Sequence, residues 1–203
     1  MPVSPLDELL AEYAKRADSP PRWPRVDDRA SLIYYREELA AIAALSDRAG
    51  SRSRVAVWIR TVRSLEEFVS REGRLPRENN RLPREQISTE EKQLAEWVRY
   101  QRRPATRADH CRYQSRRLES IPGFSWGPRD DQWNTQFTAF AQFVAGYHHA
   151  PRYRSEDLAE RASAAWAAKQ RHLLRLGKLP KDRAEKLASL SFRVGSASTQ
   201  DPE

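Results

Sequence analysis

Apolar residues recur at helical spacing along most of the chain. Between Val55 and Arg71 they follow the i, i+3, i+4, i+7 pattern of an amphipathic helix. The pattern stops near Gly73, and glycine is the usual residue just past a helix C-terminus. Nowhere do β-branched residues alternate with polar ones over the length of a strand. The sequence therefore predicts an all-α protein.

The N-terminal segment, residues 1–50, is predicted to be helical and separate from the rest of the chain. "SPLDELLAEYAKRA" is typical of a short helix capped by Ser4, and "DDRASLIYYREELAAIAAL" of a second helix. Between them the Pro-rich linker "SPPRWPR" favours an extended conformation. This segment has a net charge of −2, from 7 Lys and Arg against 9 Asp and Glu. We therefore expect a surface that caps the fold or docks a partner, or a homodimer contact through residues 29–46.

The remainder of the chain contains an internal repeat. A shift of 75 positions superposes several apolar residues and a proline: Trp58 on Trp133, Val62 on Phe137, Leu65 on Phe140, Phe68 on Phe143, Val69 on Val144 and Pro76 on Pro151. A shift of 69 superposes Trp97 on Trp166, Gln101 on Gln170, Arg102 on Arg171, Leu118 on Leu187 and Ser120 on Ser189. Because the shift changes inside a loop, we interpret the pattern as a duplicated module with one edited loop.

Each copy is predicted to contain three helices, which gives two tandem three-helix modules. The first spans residues 51–128 and the second residues 129–195, and the composition of residues 196–203 is typical of a disordered tail.

Local signals place the helices of the first module. Ser88 followed by Glu91 predicts a capping box at the start of its second helix. Pro104 ends that helix, and Thr106 with Asp109 is predicted to cap the third.

The spacing of these residues resembles that of the helicase-associated domain family. The first copy carries the pattern as Trp58, Leu65, Phe68, Gly73, Pro76, Leu94, Trp97, Gln101, Arg102, Arg116, Leu118, Gly123, Phe124 and Trp126. The second keeps Trp133, Phe140, Phe143, Pro151, Trp166, Gln170, Arg171, Leu187 and Phe192, with His148 in place of Gly73 and "SFRV" in place of the Gly-Phe-x-Trp ending. The resemblance covers residues 56 to 194.

The resemblance implies a small three-helix fold that binds nucleic acid. A helicase motor is not part of this sequence, which has no Gly-x-x-x-x-Gly-Lys-Ser/Thr phosphate loop and no Asp-Glu-x-His box. We expect a non-catalytic protein without a cofactor. His110-Cys111 and His148-His149 lack the spaced partner ligands of a zinc site.

Charge supports a polyanionic partner. The chain has a net charge of +8. Residues 51–128 contribute +7 of it, from 17 Lys and Arg against 10 Asp and Glu, and residues 129–203 contribute +3, from 12 against 9. A basic, Arg-rich domain is typical of nucleic-acid binding. A solvated high-Arg surface remains the alternative.

The candidate contacts are basic residues of the second and third helices of each module. We predict a nucleic-acid-binding set of Arg99, Arg102, Arg103, Arg107, Arg112, Arg116, Arg117, Lys169, Arg171, Arg175, Lys178, Lys181, Arg183 and Lys186. The third helix is the favoured recognition element, as in homeodomain-type folds. Gln101 and Arg102 fit two interpretations, base reading and tying helices together, and we favour the second. Trp97 and Trp166 lie in apolar stripes and are interpreted as core.

The sequence thus favours binding of double-stranded DNA. The competing hypothesis is a protein-interaction module, an accessory or inhibitor of a replication, helicase or defence protein. The lone Cys111 excludes an intramolecular disulfide. The chain has neither a signal-peptide pattern nor an apolar run long enough for a membrane span. We therefore expect a cytoplasmic protein without a membrane partner.

Overall fold

The structure, a computed structural model, describes residues 4–43, 52–77 and 87–190. In these ranges it consists of α-helices and contains no strand, which confirms the predicted fold class. The helices are α1 (Pro5–Asp18), α2 (Val26–Ala43), α3 (Arg54–Glu72), α4 (Thr89–Gln101), α5 (Pro104–Ala108), α6 (Arg112–Glu119), α7 (Pro128–Tyr147), α8 (Leu158–Arg175) and α9 (Lys181–Ser189). The predicted tail, most of the Arg-rich loop after Pro76, and residues 44–46 of the predicted dimer segment lie outside the described residues.

The chain divides into two compact units, Met1–Trp126 and Gly127–Glu203. In the first unit, α1 and α2 pack on α3 and α6 and share one core with them. Three buried tyrosines meet there: the ring centroid of Tyr13 lies 4.9 Å from that of Tyr113 and 6.0 Å from that of Tyr35. The N-terminal helices are therefore an integral part of the first unit.

Ser88 caps α4 as predicted, but Glu91 completes the arrangement differently. The Ser88 hydroxyl accepts a hydrogen bond from the backbone N–H of Glu91 at 3.0 Å. The Glu91 carboxylate accepts from the Arg74 guanidinium at 2.6 Å and from the backbone N–H of Arg77 at 3.0 Å. The bond from Arg74 is the main reason that the pKa of Glu91 is lowered. Glu91 thus anchors the connection that precedes its own helix.

The helix that was predicted as the third of the first module begins later than expected. Pro104 opens the short helix α5 instead of leading directly into the third helix, and α6 starts at Arg112. The predicted cap by Thr106 and Asp109 is wrong. The N-cap is Cys111, whose backbone N–H donates to the Gln114 side chain at 3.2 Å. The sequence did not indicate the break between α5 and α6, because it contains one proline in a short polar run. Pro104 is compatible with the start of a single helix at that point.

The helices of the second unit bury fewer residues than those of the first. Within its described residues, Trp133 and Phe140 of α7 and Ala164 and Gln170 of α8 are buried, whereas α9 has no buried residue. In the first unit the corresponding helices α3 and α6 bury seven and four residues. The difference follows from α1 and α2, which cover α3 and α6.

Each unit contains the same hydrogen bond between a tryptophan and a glutamine. The indole N–H of Trp58 donates to Gln101 Oε1 at 3.1 Å, and that of Trp133 donates to Gln170 Oε1 at 3.0 Å. A second tryptophan packs beside each donor. The Trp58–Trp97 ring centroids are 5.9 Å apart with their planes at 55°, and the Trp133–Trp166 centroids are 5.8 Å apart, also at 55°. Gln101 and Gln170 are therefore core residues, which confirms their structural interpretation.

His110 adds a second bond to Gln101 in the first unit. Its Nε2 lies 2.9 Å from Gln101 Oε1. A carbonyl oxygen only accepts, so Nε2 carries the proton, and the buried Nδ1 has no partner among the described residues. Burial is the main cause that lowers the pKa of His110.

Replacing His110 by Leu, the residue found 69 positions later at Leu179, is expected to reduce the loss of stability in mild acid. In the wild type the folded state holds His110 neutral, so its pKa lies below the unfolded value of about 6.5. The contribution of neutral His110 to the free energy of unfolding is complete above that pH. It declines as the pH falls below it, because the unfolded state then binds more protons than the folded state. Urea unfolding between about pH 7 and pH 5 should show a shallower decline for His110→Leu. An unchanged decline would contradict this account.

Two helices end in the left-handed conformation at equivalent positions. Gly73 follows α3 with φ +67°, and His148 follows α7 with φ 55°. Their backbone N–H groups bond to the carbonyl oxygens of Val69 at 2.8 Å and of Val144 at 2.9 Å. A side chain disfavours this conformation, so His148 introduces strain in the second unit that Gly73 avoids at the equivalent position of the first.

His148→Gly is expected to stabilise the second unit by about 1 kcal/mol, because glycine adopts a left-handed cap without a steric penalty. The reverse change, Gly73→His, should destabilise the first unit by a similar amount. Urea denaturation of both variants measures the two effects. Loss of stability in His148→Gly would show that the imidazole makes a compensating contact.

None of the helices in the described ranges combines the length and the apolar character needed to cross a membrane.

Candidate nucleic-acid interface

Arg117, a predicted nucleic-acid contact, lies in the core of the first unit. Its side chain is fully buried and bonds to two carboxylates. Arg117 Nε donates to the Glu38 carboxylate at 3.1 Å, and Arg117 Nη2 to Glu66 Oε2 at 2.6 Å. The hydroxyl of Tyr113 donates to Glu38 Oε2 at 3.0 Å. This ion cluster joins α2, α3 and α6.

Opposing effects act on the Arg117 charge. Burial alone lowers the pKa of a guanidinium, but the charges of Glu38 and Glu66 and their hydrogen bonds outweigh it and raise the pKa. Arg117 therefore remains charged and paired inside the protein. The prediction that it contacts nucleic acid is wrong, because no ligand reaches a side chain with no exposed surface.

Carboxylates and amides also engage other cations of the predicted recognition helices. Arg116 Nη1 lies 3.2 Å from Glu12 Oε2, and Lys181 Nζ lies 3.8 Å from Glu185 Oε1. Arg183 pairs with Asp130, and Lys186 Nζ donates to Asn134 Oδ1 at 3.1 Å. Arg112 is exposed, while its backbone N–H donates to Asp27 Oδ1 at 2.8 Å. On the third helices, carboxylates therefore lie near Arg116, Arg117, Lys181 and Arg183, whereas Arg112 and Lys186 are exposed without a carboxylate partner among the described residues.

The arginines that follow the buried glutamines have structural roles. Arg102 Nε donates to the backbone carbonyl of Ser125 at 2.7 Å, and its guanidinium lies 5.2 Å from the Phe124 ring centroid. Arg171 is half-buried and lines an apolar cavity of about 250 Å³ together with Leu174 and Leu187. Neither presents a fully exposed guanidinium to a ligand.

Apart from Arg112 and Lys186, the exposed members of the predicted set that have no carboxylate partner among the described residues lie on the second helices and just beyond them. They are Arg99, Arg103 and Arg107 in the first unit and Lys169, Arg175 and Lys178 in the second. We call these six residues the exposed cation set. Among the described residues none of the six forms an ion pair with a carboxylate. Arg103 and Arg107 pack over aromatic rings, 5.3 Å from the Tyr100 centroid and 4.6 Å from the Trp126 centroid. A guanidinium that packs on an aromatic ring keeps its positive charge available to a phosphate.

The second unit contains a polar cleft that sequence reasoning missed. Its volume is about 380 Å³. Both tryptophans of the unit line it, as do three cations and three amides: Arg129, Lys169, Arg183, Gln132, Gln136 and Gln170. No carboxylate lines this cleft, although Arg183 pairs with Asp130 beside it. The signal available in the sequence was the spacing of Arg129, Gln132 and Gln136, which places them on one side of α7.

Comparison with known proteins agrees with the resemblance for one part of the chain. Residues 130–195 match the family described as the helicase associated domain. This match lies in the second unit and includes α8, α9 and most of α7. No curated protein and no solved structure matches the chain.

Arg117→Ala is expected to destabilise the protein by about 3–5 kcal/mol, because it leaves the buried carboxylate of Glu38 without its cation. Arg116→Ala should change stability by no more than about 1 kcal/mol, since the pair of Arg116 with Glu12 is exposed. Thermal or urea unfolding of the two variants tests the difference. Equal stability of both variants would contradict the buried ion cluster.

Proposed function

We propose that the chain is a non-catalytic nucleic-acid-binding protein whose ligand is double-stranded DNA. The exposed cation set carries this proposal. Six cations remain exposed and unneutralised on α4–α5, on α8 and just after it, and phosphates are the natural partners of such residues. The proposed contacts therefore lie mainly on and just after the second helices, and Arg112 and Lys186 remain candidates on the third.

We also infer that the first unit contains a second copy of the module matched in residues 130–195. The support is geometric. A tryptophan–glutamine hydrogen bond and a tilted tryptophan pair recur at the positions that the two sequence shifts relate, with nearly equal distances. Two copies on one chain would raise the affinity for a long polyanion through effective concentration.

A protein-interaction function is the second candidate. Exposed apolar side chains on α2 favour it, because Ile33 is 54% and Leu39 is 41% exposed. Both lie in the segment proposed for a homodimer contact. The acidic residues of α2 support partner docking less than its apolar side chains do, because Glu38 is part of the buried ion cluster. A stoichiometric dimer without DNA affinity would favour this candidate over DNA binding.

The double variant Arg99→Glu/Arg103→Glu is expected to weaken duplex binding at least about tenfold and to reduce the slope of log affinity against log salt by about two, because each phosphate contact contributes roughly 0.9 to that slope. Fluorescence anisotropy with a labelled duplex over a range of salt concentrations measures both quantities.

The matched control is Arg29→Glu/Arg36→Glu, which makes the same charge change at two exposed positions of α2. It should retain most of the affinity and the salt slope. Equal losses in both variants would mean that net charge alone, and not the exposed cation set, governs binding. No salt-sensitive binding by the wild type would refute the proposed function.

A further inference from the structure

We propose that the polar cleft of the second unit binds one unpaired nucleotide of the nucleic acid. The inference rests on the proposed function and adds a site to it. A protein with this cleft distinguishes a duplex that carries an unpaired tail from a blunt duplex. The observations that carry it are the side chains that converge on the cleft, its concave shape and the replacement of both amides and of Lys169 at the equivalent positions of the first unit.

The cleft offers two free amides side by side. Gln132 is exposed and Gln136 is half-buried one turn further along α7. An amide provides two donors and one acceptor, which matches the polar edge of a base. The third amide, Gln170, has its oxygen occupied by the Trp133 indole. Gln132 and Gln136 are thus the groups available to read a base.

Cations at the same cleft suit the phosphate of that nucleotide. Arg129 begins the same face of α7, and Lys169 of α8 lines the cleft with it; both are exposed. Arg183 lies 5.0 Å from the Trp133 ring centroid and is held by Asp130. Arg129 and Lys169 therefore remain for the ligand, while Arg183 is fixed in the wall.

A concave site selects an unpaired nucleotide over a base pair. Bases within a duplex are stacked, and a protein reads them with elements that protrude into a groove. Unpaired bases instead enter recesses, where side chains bond their edges and planar groups pack on their faces. A cleft of about 380 Å³ between α7 and α8 belongs to the second kind, and its polar groups are placed to bond the base edge. Trp133 is a wall of the cleft and not a stacking surface, because it is 6% exposed and packs against Phe137 and Arg183.

The first unit lacks both amides and the lysine at the equivalent positions, although Arg129 corresponds to Arg54. The two sequence shifts relate Gln132 to Val57, Gln136 to Thr61 and Lys169 to Tyr100. Val57 has no polar side-chain group, and Tyr100 has no positive charge. The Thr61 hydroxyl donates to the backbone carbonyl of Val57 at 2.9 Å. The nucleotide site is therefore specific to the second unit.

Anisotropy titrations with a blunt duplex and with the same duplex carrying a short unpaired tail test the inference. The wild type should bind the tailed duplex about tenfold more tightly, as hydrogen bonds from two amides to the edge of one base provide. Gln132→Ala/Gln136→Ala should lose that preference and bind the blunt duplex as the wild type does. The matched control Gln142→Ala changes an exposed glutamine of the same helix that does not line the cleft, and it should keep the preference. Circular dichroism melting checks that the variants are folded.

The possible failures separate the two proposals. Equal binding of both duplexes by the wild type, or a preference that survives in the double variant, overturns the nucleotide site and leaves duplex binding standing. Binding of the tailed duplex alone, lost in the double variant, supports the nucleotide site and refutes the duplex proposal. Binding of neither duplex overturns both.

Discussion

The fold depends on one recurring hydrogen bond, from a buried indole to a buried glutamine. Small helical modules gain much of their core from tryptophan, yet an indole N–H that is buried without an acceptor costs free energy. Gln101 and Gln170 supply that acceptor from a neighbouring helix. Each bond fixes the helix of the tryptophan against the helix of the glutamine. The second helix is thereby held with its remaining surface in solvent, where Arg99, Lys169 and Arg175 of the exposed cation set lie.

The first unit adds a second constraint, the buried charge of Arg117. A charged side chain in a core requires partners, and these come from two other helices, as Glu38 of α2 and Glu66 of α3. The N-terminal helices are bound into the unit by this requirement as much as by apolar contact. The second unit carries Lys186 at the related position, exposed and bonded to Asn134. The cation at this position is therefore buried in the first unit and exposed in the second.

Sequence patterns predicted the helices well and the interface poorly. The i, i+3, i+4, i+7 spacing is local, so α3 and the all-α class followed from it. The burial of Arg117 did not follow, because its partner Glu38 lies 79 positions away and a charge in a basic helix resembles a solvated one. Gln101 was interpreted as tying helices together, but the sequence did not reveal that Gln101 and Gln170 each accept a hydrogen bond from a buried tryptophan. The cleft was missed because Lys169 joins Gln132 and Gln136 only through the packing of α8 on α7.

The contacts that close the first unit also set the order in which it folds during synthesis. The bonds from α2 to α6 span 75 to 85 positions, whereas those from α9 to α7 in the second unit span 52 and 53. Helices α1 and α2 leave the ribosome before α3 and α6, and α2 can pack on α3 soon afterwards. Their contacts with α6 form only when α6 emerges, on the order of ten seconds later at ordinary translation rates. Long-range closure is slow, and during that delay the apolar sides of α1 and α2 are exposed to chaperones and to other nascent chains.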